Sequence, residues 1–313
     1  MKKEIIIVLL GVVAIALVLI VSQSGVLKGG LRGQTAEENE QQTEIKVLKM
    51  GLIPADDAEE MLREYEPIQE YLSEKLGIPL EIQVTSDYAA AIEAMRAKHI
   101  DMAWFGPFSY VIAANIANAE AIVNGVRRSD GKSDYRSIIV TKADSGIKTL
   151  ADLKGKSFAF VDPSSTSGNL IPRKILKESG IDPDNDFKVV YYAGTHNAVE
   201  YAVANGKVDA GADSDNSYQR MVEAGEIDPN VNTIIYTSDP IPGSPIVVRK
   251  DLPAELRQAI QDALINMDEQ TIHQISGWGD ISKYQKVSDS DYDIIRETAA
   301  ALGMDVASVE GAK

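Results

Sequence analysis

The chain has 313 residues, of which 44% are hydrophobic and 25% charged, a composition typical of a folded globular protein with one large or two ordinary domains. It contains no cysteine, which excludes disulfides, thiolate metal sites, cysteine nucleophiles and a lipid-modified N-terminal cysteine. Its formal net charge of −16 argues against nucleic acid and anionic lipid as partners, although neutral N–H and O–H dipoles can still bind a small anion inside a cleft.

The N-terminal segment carries an export signal. Lys2 and Lys3 precede an apolar run over residues 5–21, which is short for a membrane-spanning helix and long for the core of a cleaved signal. We predict that residues 1–22 form a hydrophobic helix, either a signal anchor or a signal peptide, and the weak cleavage site after it favours the anchor. Residues 23–44 are polar and rich in Gly, Gln, Glu and Thr, which predicts a flexible tether.

From residue 45 the chain alternates short apolar strands with amphipathic helices. The pattern predicts strands at residues 45–53, 80–84, 100–105, 121–126 and 137–141. It predicts a helix at 67–76 opened by Pro67 and closed at Gly77, a second at 88–98, and a third that begins at Gly106-Pro107. We assign residues 45–142 to the first part of lobe 1.

The same alternation continues through a second lobe, residues 143–241. Strands are predicted at 157–161, 187–192, 208–211 and 233–236, with helices at 168–179, 196–205 and 215–223 between them. The apolar run at 245–249 has no partner nearby in sequence, and helices follow at 253–270 and 291–302. We therefore predict that residues 242–313 return to lobe 1, giving an α/β protein with two mixed sheets flanked by helices.

One strand-to-helix junction carries candidate chemistry. After the strand at 157–161, the chain passes through Ser165, Thr166 and Ser167, here called the hydroxyl turn, into a helix. A helix start has N–H groups without helical partners and the positive end of the helix dipole, and the three hydroxyls add donors at the same place. The pattern indicates an anion site, with an ordinary Ser/Thr N-cap as the structural alternative.

Several motifs in the same order resemble those of a known family. The hydroxyl turn, Thr149-Leu150-Ala151-Asp152-Leu153-Lys154-Gly155-Lys156 before it, and segments 86–90, 101–106, 194–198 and 241–247 resemble the phosphonate/phosphite/phosphate-type substrate-binding proteins of ABC transporters. The resemblance covers roughly residues 45–275. It implies the type II periplasmic-binding-protein fold, in which two lobes joined by a two-strand hinge close on a ligand.

The resemblance also implies a set of ligand-binding residues. In the family, phosphonate oxygens are held by the Ser-Thr-Ser helix start, two tyrosines and a histidine, which fall here on Tyr88, Tyr135, Ser165, Thr166, Ser167 and His196. Trp104, at the end of a predicted strand, either lines the cleft or packs beneath it, and we favour packing.

The chain departs from the family where an amine would bind. Relatives that take 2-aminoethylphosphonate hold its ammonium with two carboxylates, and Asn216 and Ser244 stand at those positions here. Because a buried ammonium without an anionic partner costs several kcal/mol, we expect a ligand without an amine. Asp213 and Asp215 lie close enough in sequence to supply the missing charge, but we interpret them as solvated acids at a helix start.

Together these features predict an extracytoplasmic binding protein without enzymatic activity, cofactor or metal site. It would capture phosphite, methylphosphonate, another phosphonate or phosphate and deliver it to an ABC permease, as a monomer attached to the membrane through its N-terminal segment. A ferric-ion-binding two-lobed protein and a ligand-sensing receptor for a membrane partner are the alternatives. No Gly-x-Ser-x-Gly elbow, His-x-x-x-His pair or P-loop suggests an enzyme.

Overall fold

The computed structural model describes residues 45–274 and 281–308. The predicted N-terminal helix at 1–22 and tether at 23–44 lie outside these residues. The strands are β1 Leu48–Leu52, β2 Leu80–Val84, β3 Met102–Trp104, β4 Ala119–Arg127, β5 Ser137–Lys142, β6 Ser157–Phe160, β7 Val189–Tyr192, β8 Ala210–Ser214, β9 Asn232–Thr237, β10 Pro245–Arg249 and β11 Ile281–Lys286.

Helices connect and cover these strands. The α-helices are α1 Ala58–Leu76, α2 Tyr88–Arg96, α3 Pro107–Ile116, α4 Ile171–Glu178, α5 His196–Ala204, α6 Asp215–Glu223, α7 Ala254–Ile265, α8 Glu269–Gln274 and α9 Asp293–Leu302. Within residues 45–274 and 281–308, no helix is both long and apolar enough to cross a membrane.

The strands form two mixed sheets, as predicted. The first sheet has the order β11-β4-β10-β3-β1-β2, with β1 parallel to β2 and β3, and β10 antiparallel to β3 and β4. The second sheet has the order β7-β6-β8-β5-β9, with β6 parallel to β7 and β8, and β5 antiparallel to β8 and β9. Residues 245–249, predicted to return to lobe 1, form β10 of the first sheet, which lies between β3 and β4.

The chain crosses between the sheets twice, at residues 128–136 and 238–244, here called the crossing segments. They bond to each other, since Tyr135 N donates to Ile241 O at 3.1 Å and Ile241 N to Tyr135 O at 2.7 Å. The first crossing comes before β5, so the grouping of this strand with lobe 1 is wrong. β5 pairs in the second sheet, with Ile138 opposite Asp213 of β8.

Some helix boundaries differ from the prediction. Pro67 does not open its helix but lies inside α1. The helix starts earlier, at Ala58, because Asp57 caps it by accepting from Glu59 N and Glu60 N, each at 3.0 Å. Buried residues on one face of α1 anchor it against the first sheet despite the hydrogen bond that proline removes: Met61, Tyr65, Ile68, Tyr71 and Leu72.

Three further elements refine the predictions near the C-terminus and the hydroxyl turn. The helix predicted at 253–270 is divided into α7 and α8, because Asp268 starts a new cap by accepting from Thr271 N at 2.9 Å. The helix predicted at 291–302 begins with a 3₁₀ turn, Asp289–Tyr292. The helix predicted at 168–179 begins with a π-helical turn, Thr166–Leu170, a local form that is frequent at functional sites.

Candidate functional site

A cavity of about 120 Å³ opens where strand ends from both sheets meet. The carboxyl ends of β1, β3, β6 and β8 all contribute to its wall, the usual place for ligand sites in sheets of this kind. Every residue that the resemblance assigned to ligand binding lies in this wall: Tyr88, Tyr135, Ser165, Thr166, Ser167 and His196. Residues separated by more than 100 positions in sequence are therefore brought to one place.

The hydroxyl turn is buried and held rigidly. Ser165, Thr166 and Ser167 are each 2% exposed or less. Ser165 caps the turn, because its Oγ accepts from Gly168 N at 3.1 Å. A Cβ at Gly168 would lie 2.3 Å from Val161 Cγ2, so only glycine lets the turn pack this closely on the end of β6. Ser165 is thus an N-cap, the structural alternative, and also lines the cavity, while the anion site stays a prediction.

Thr166 connects the two sheets. Its Oγ1 accepts a hydrogen bond of 2.8 Å from the backbone N–H of Phe108, at the start of α3. That helix begins at Gly106-Pro107, as predicted. Because the N–H of Phe108 uses an acceptor position on the hydroxyl, the hydroxyl proton can be donated, either to the Tyr135 phenol or to a ligand in the cavity.

Two tyrosines complete the donor set. The phenol of Tyr88, at the start of α2, hydrogen-bonds with Ser165, and burial raises the pKa of Tyr88 well above its ordinary value. The phenol of Tyr135, in the first crossing segment, hydrogen-bonds with the hydroxyls of Thr166 and Ser167, and burial raises the pKa of Tyr135 to about 12. Both phenols thus keep their protons at neutral pH and act as hydrogen-bond donors.

His196 starts α5 and faces the cavity from the second sheet. Its backbone N–H donates to Ala55 O at 2.8 Å, and its Nδ1 lies 2.5 Å from Oδ1 of Asp213. Burial lowers the pKa of His196 to about 4, so the imidazole is neutral at physiological pH. With Nδ1 directed at Asp213, Nε2 is the ring nitrogen left for a ligand.

Sequence reasoning missed an ion pair in the cavity wall. Asp56, 7% exposed, follows β1 and pairs with Arg220 of α6, and Ser217 Oγ lies 3.4 Å from the same carboxylate. Burial raises the pKa of Asp56, while the guanidinium lowers it. The signal that could have found Asp56 is its position just beyond the carboxyl end of a parallel strand. The pair adds no net charge to the cavity.

The described residues contain no group of three or more His, Asp or Glu side chains arranged to hold a metal ion. The groups that do converge, hydroxyl and phenol donors together with Nε2 of an imidazole, suit an oxyanion.

A family profile described as the periplasmic substrate-binding protein of phosphonate ABC transporters matches residues 50–292. The chain belongs to this family. The predicted family is therefore confirmed, as is the prediction of a binding protein of a transporter and not an enzyme, and the family is extracytoplasmic.

Individual relatives support the same assignment. The chain is 30% identical over 281 residues to the phosphate-import protein PhnD of Mycolicibacterium smegmatis, covering 82% of this chain and 86% of the relative. It is also 30% identical over 251 residues to the phosphonates-binding periplasmic protein of Escherichia coli, covering 78% and 72%.

Solved structures give the same fold. A binding protein component of a phosphonate ABC transporter from Pseudomonas aeruginosa aligns with a TM-score of 0.77 at 26% identity, covering 83% of this chain and 88% of the other. PhnD1 of Prochlorococcus marinus in complex with methylphosphonate aligns with a TM-score of 0.76 at 22% identity, covering 83% and 99%.

The remaining candidate residues of the sequence analysis differ in their position relative to the cavity. Trp104, Asn216 and Ser244 lie in the cavity wall, so Trp104 does not only pack beneath it. Asp215 does not lie in the wall, because its carboxylate accepts from Arg136 N at 2.8 Å. The interpretation of Asp213 as a solvated acid is wrong, since its side chain is fully buried behind His196.

Proposed function

We propose that this protein captures one small phosphorus oxyanion, namely phosphite, methylphosphonate, another phosphonate or phosphate, and delivers it to an ABC permease. The observation that supports this most is the convergence of the hydroxyl turn, Tyr88, Tyr135 and His196 on one cavity. The cavity of about 120 Å³ has room for a small ligand.

Neutral dipoles supply the affinity in this proposal. The donors are hydroxyls, phenols and helix-start N–H groups, while two arginines of the wall are paired, Arg220 with Asp56 and Arg127 with Asp130. Such a site binds an anion through preorganised hydrogen bonds even though the whole chain carries a formal charge of −16.

Capture would proceed by closure of two lobes about the crossing segments, which act as the two-strand hinge. Because β5 belongs to the second sheet, the second lobe spans about residues 137–237, and the first lobe comprises 45–127 with the returning segment from 245 onward. Contacts between the lobes support this arrangement, among them Phe108 N to Thr166 Oγ1 and His196 N to Ala55 O, both 2.8 Å.

Calorimetric titration of the purified protein with phosphite, methylphosphonate and phosphate tests the proposal. We expect one site per chain, and Tyr88→Phe should weaken binding while Tyr191→Phe, a change at a tyrosine 50% exposed outside the wall, should not. Absence of binding heat with all three anions, or equal affinities for the two variants and the unmodified protein, would contradict it.

For the N-terminal segment we propose a membrane anchor at residues 1–22 and a tether at 23–44, on a monomeric protein. Deleting residues 1–33 should then release the protein from membranes with unchanged ligand affinity and a monomeric sedimentation coefficient. Recovery of a mature N-terminus near Gly25 from cells would instead identify a cleaved signal peptide.

A further inference from the structure

Three acidic and amide side chains form a buried line behind His196. Asp213, at 0% exposure, meets Nδ1 of His196 at 2.5 Å, and Glu200 of α5, also at 0%, hydrogen-bonds with Asp213. Asn232 closes the line, because its Nδ2 donates to Glu200 Oε2 at 2.6 Å and to Glu200 O at 2.9 Å. None of these three residues lies in the cavity wall.

The hydrogen bonds of this line require one extra proton. Within the described part of the chain, Oε1 of Glu200 and Oδ2 of Asp213 are buried and receive no N–H or hydroxyl donor. The two side chains nevertheless hydrogen-bond with each other. A single proton between the two carboxyl groups satisfies both oxygens, since two ionised carboxylates in contact would repel each other.

The proton belongs mainly to Glu200. Burial raises the pKa of Asp213 to about 7, but its Oδ1 accepts from Ser214 N at 2.6 Å and from His196, which favours ionisation of Asp213 over ionisation of Glu200. The Glu200 carboxyl group accepts from the side-chain amide of Asn232, but burial raises the pKa of Glu200 well above its ordinary range. In this line Glu200 is therefore the neutral carboxylic acid and Asp213 the ionised carboxylate. His196 carries its proton on Nδ1.

We infer that Glu200 and Asp213 are positioning residues that share one buried proton and fix the tautomer of His196. Oxyanion binding then depends on one proton at His196 Nε2. This inference rests on the proposed function. A monoanionic ligand brings that proton on its own P–OH group, which donates to Nε2. A dianionic ligand must take one proton from solvent, which converts His196 to the imidazolium and leaves Asp213 as its counter-ion.

The other charged groups around His196 do not replace this proton. Asp56, after β1, and Arg220, on α6, face the imidazole as a mutually neutralising pair. Glu60 and Glu64 of α1 act on that pair and not directly on the imidazole, and Tyr88 of α2 stays protonated. The imidazole is thus neutral before a ligand arrives, so any proton needed by a dianion is taken up during binding.

Calorimetry with methylphosphonate in buffers of different ionisation enthalpy, between pH 5.5 and 9, measures that uptake. We expect the number of protons taken up per ligand to rise from near zero below the second pKa of the ligand to about one above it. The affinity for total ligand should accordingly fall with rising pH once both the ligand and the imidazole are deprotonated.

Variants of the line separate positioning from simple structural support. Glu200→Leu should weaken binding at least about tenfold, whereas Glu200→Gln, whose amide N–H takes the place of the shared proton, should restore most of the affinity. Asp213→Asn should lose most affinity at high pH, where the imidazolium needs its counter-ion. Asp209→Asn is the matched control, because that carboxylate bonds to Ser157 N at 2.8 Å just before β8 and does not line the cavity.

The outcomes distinguish the inference from the proposed function. Binding without proton uptake at any pH, or a Glu200→Gln variant as weak as Glu200→Leu while both melt like the unmodified protein, would refute the inference alone. An unmodified protein that binds none of the three anions would refute the proposed function and the inference with it. A pH profile altered equally by Asp209→Asn would show that the effect is one of general stability and would also overturn the inference.

Discussion

Replacing Thr166 with valine is expected to weaken ligand binding roughly 5- to 150-fold. Valine keeps the shape of the side chain but cannot accept the 2.8 Å hydrogen bond from Phe108 N, at a site where Thr166 is 2% exposed. A buried N–H left without an acceptor costs about 1–3 kcal/mol, and each 1.4 kcal/mol is about tenfold in affinity. Loss of the hydroxyl as a donor to the oxyanion acts in the same direction.

The cost should appear in affinity and not in stability. Phe108 and Thr166 belong to different proposed lobes, so opening of the lobes would return the N–H of Phe108 to water and remove the penalty from the open form. Titration with methylphosphonate, together with thermal melting without ligand, checks this. Thr166→Ser, which keeps the hydroxyl, should bind within about threefold of the unmodified protein. A Thr166→Val protein with a lowered melting temperature and unchanged affinity would refute the reasoning.

Three further predictions concern the cavity wall and its surroundings. Arg220→Gln leaves the buried carboxylate of Asp56 without its ion-pair partner, so affinity should fall at least about tenfold in titrations, and adding Asp56→Asn should recover most of the loss. Burial raises the pKa of Glu64 from 4.5 to about 7, so the folded protein retains a proton that the unfolded chain has released. The contribution of Glu64 to the free energy of unfolding should therefore fall as the pH rises from about 4.5 to about 7, and Glu64→Gln should remove that part of the decline in urea denaturation. Competition titrations should show 2-aminoethylphosphonate binding over about tenfold more weakly than methylphosphonate, and Ser244→Asp combined with Asn216→Glu should narrow the difference; tight binding of the amine by the unmodified protein would contradict this.

The sequence was sufficient to predict the elements whose ends are set by neighbouring residues. β2 and α6 have the predicted bounds, because each is framed by its own turn or cap signals, such as Ser214 accepting from Ser217 N at 3.1 Å. The hydroxyl turn was also predictable, since a strand end, three hydroxyl residues and a helix start are contiguous in the chain. The family motifs then placed Tyr88, Tyr135 and His196 at the same cavity.

The sequence could not predict the features that depend on contacts between distant parts of the chain. Asp56 and Arg220 are 164 positions apart, and nothing local to either residue indicates the other. Asp213 precedes a helix and so resembled a solvated cap residue, but β8 is a central strand whose five residues are all buried. The sheet membership of β5 depends on where the chain crosses between sheets, which the periodicity of a strand does not encode.

The bonded crossing segments imply an order of events during capture. A Cβ at Gly243 would lie 2.2 Å from Ser133 O, so these segments are in contact and should move as one unit when the lobes turn. Tyr135 belongs to this unit and would remain beside the hydroxyl turn in an open protein, whereas Tyr88 would travel with α2. An arriving oxyanion would then be met first by the hydroxyl turn and Tyr135 and enclosed afterwards by Tyr88, so that substitution of Tyr135 should slow association and substitution of Tyr88 should speed release.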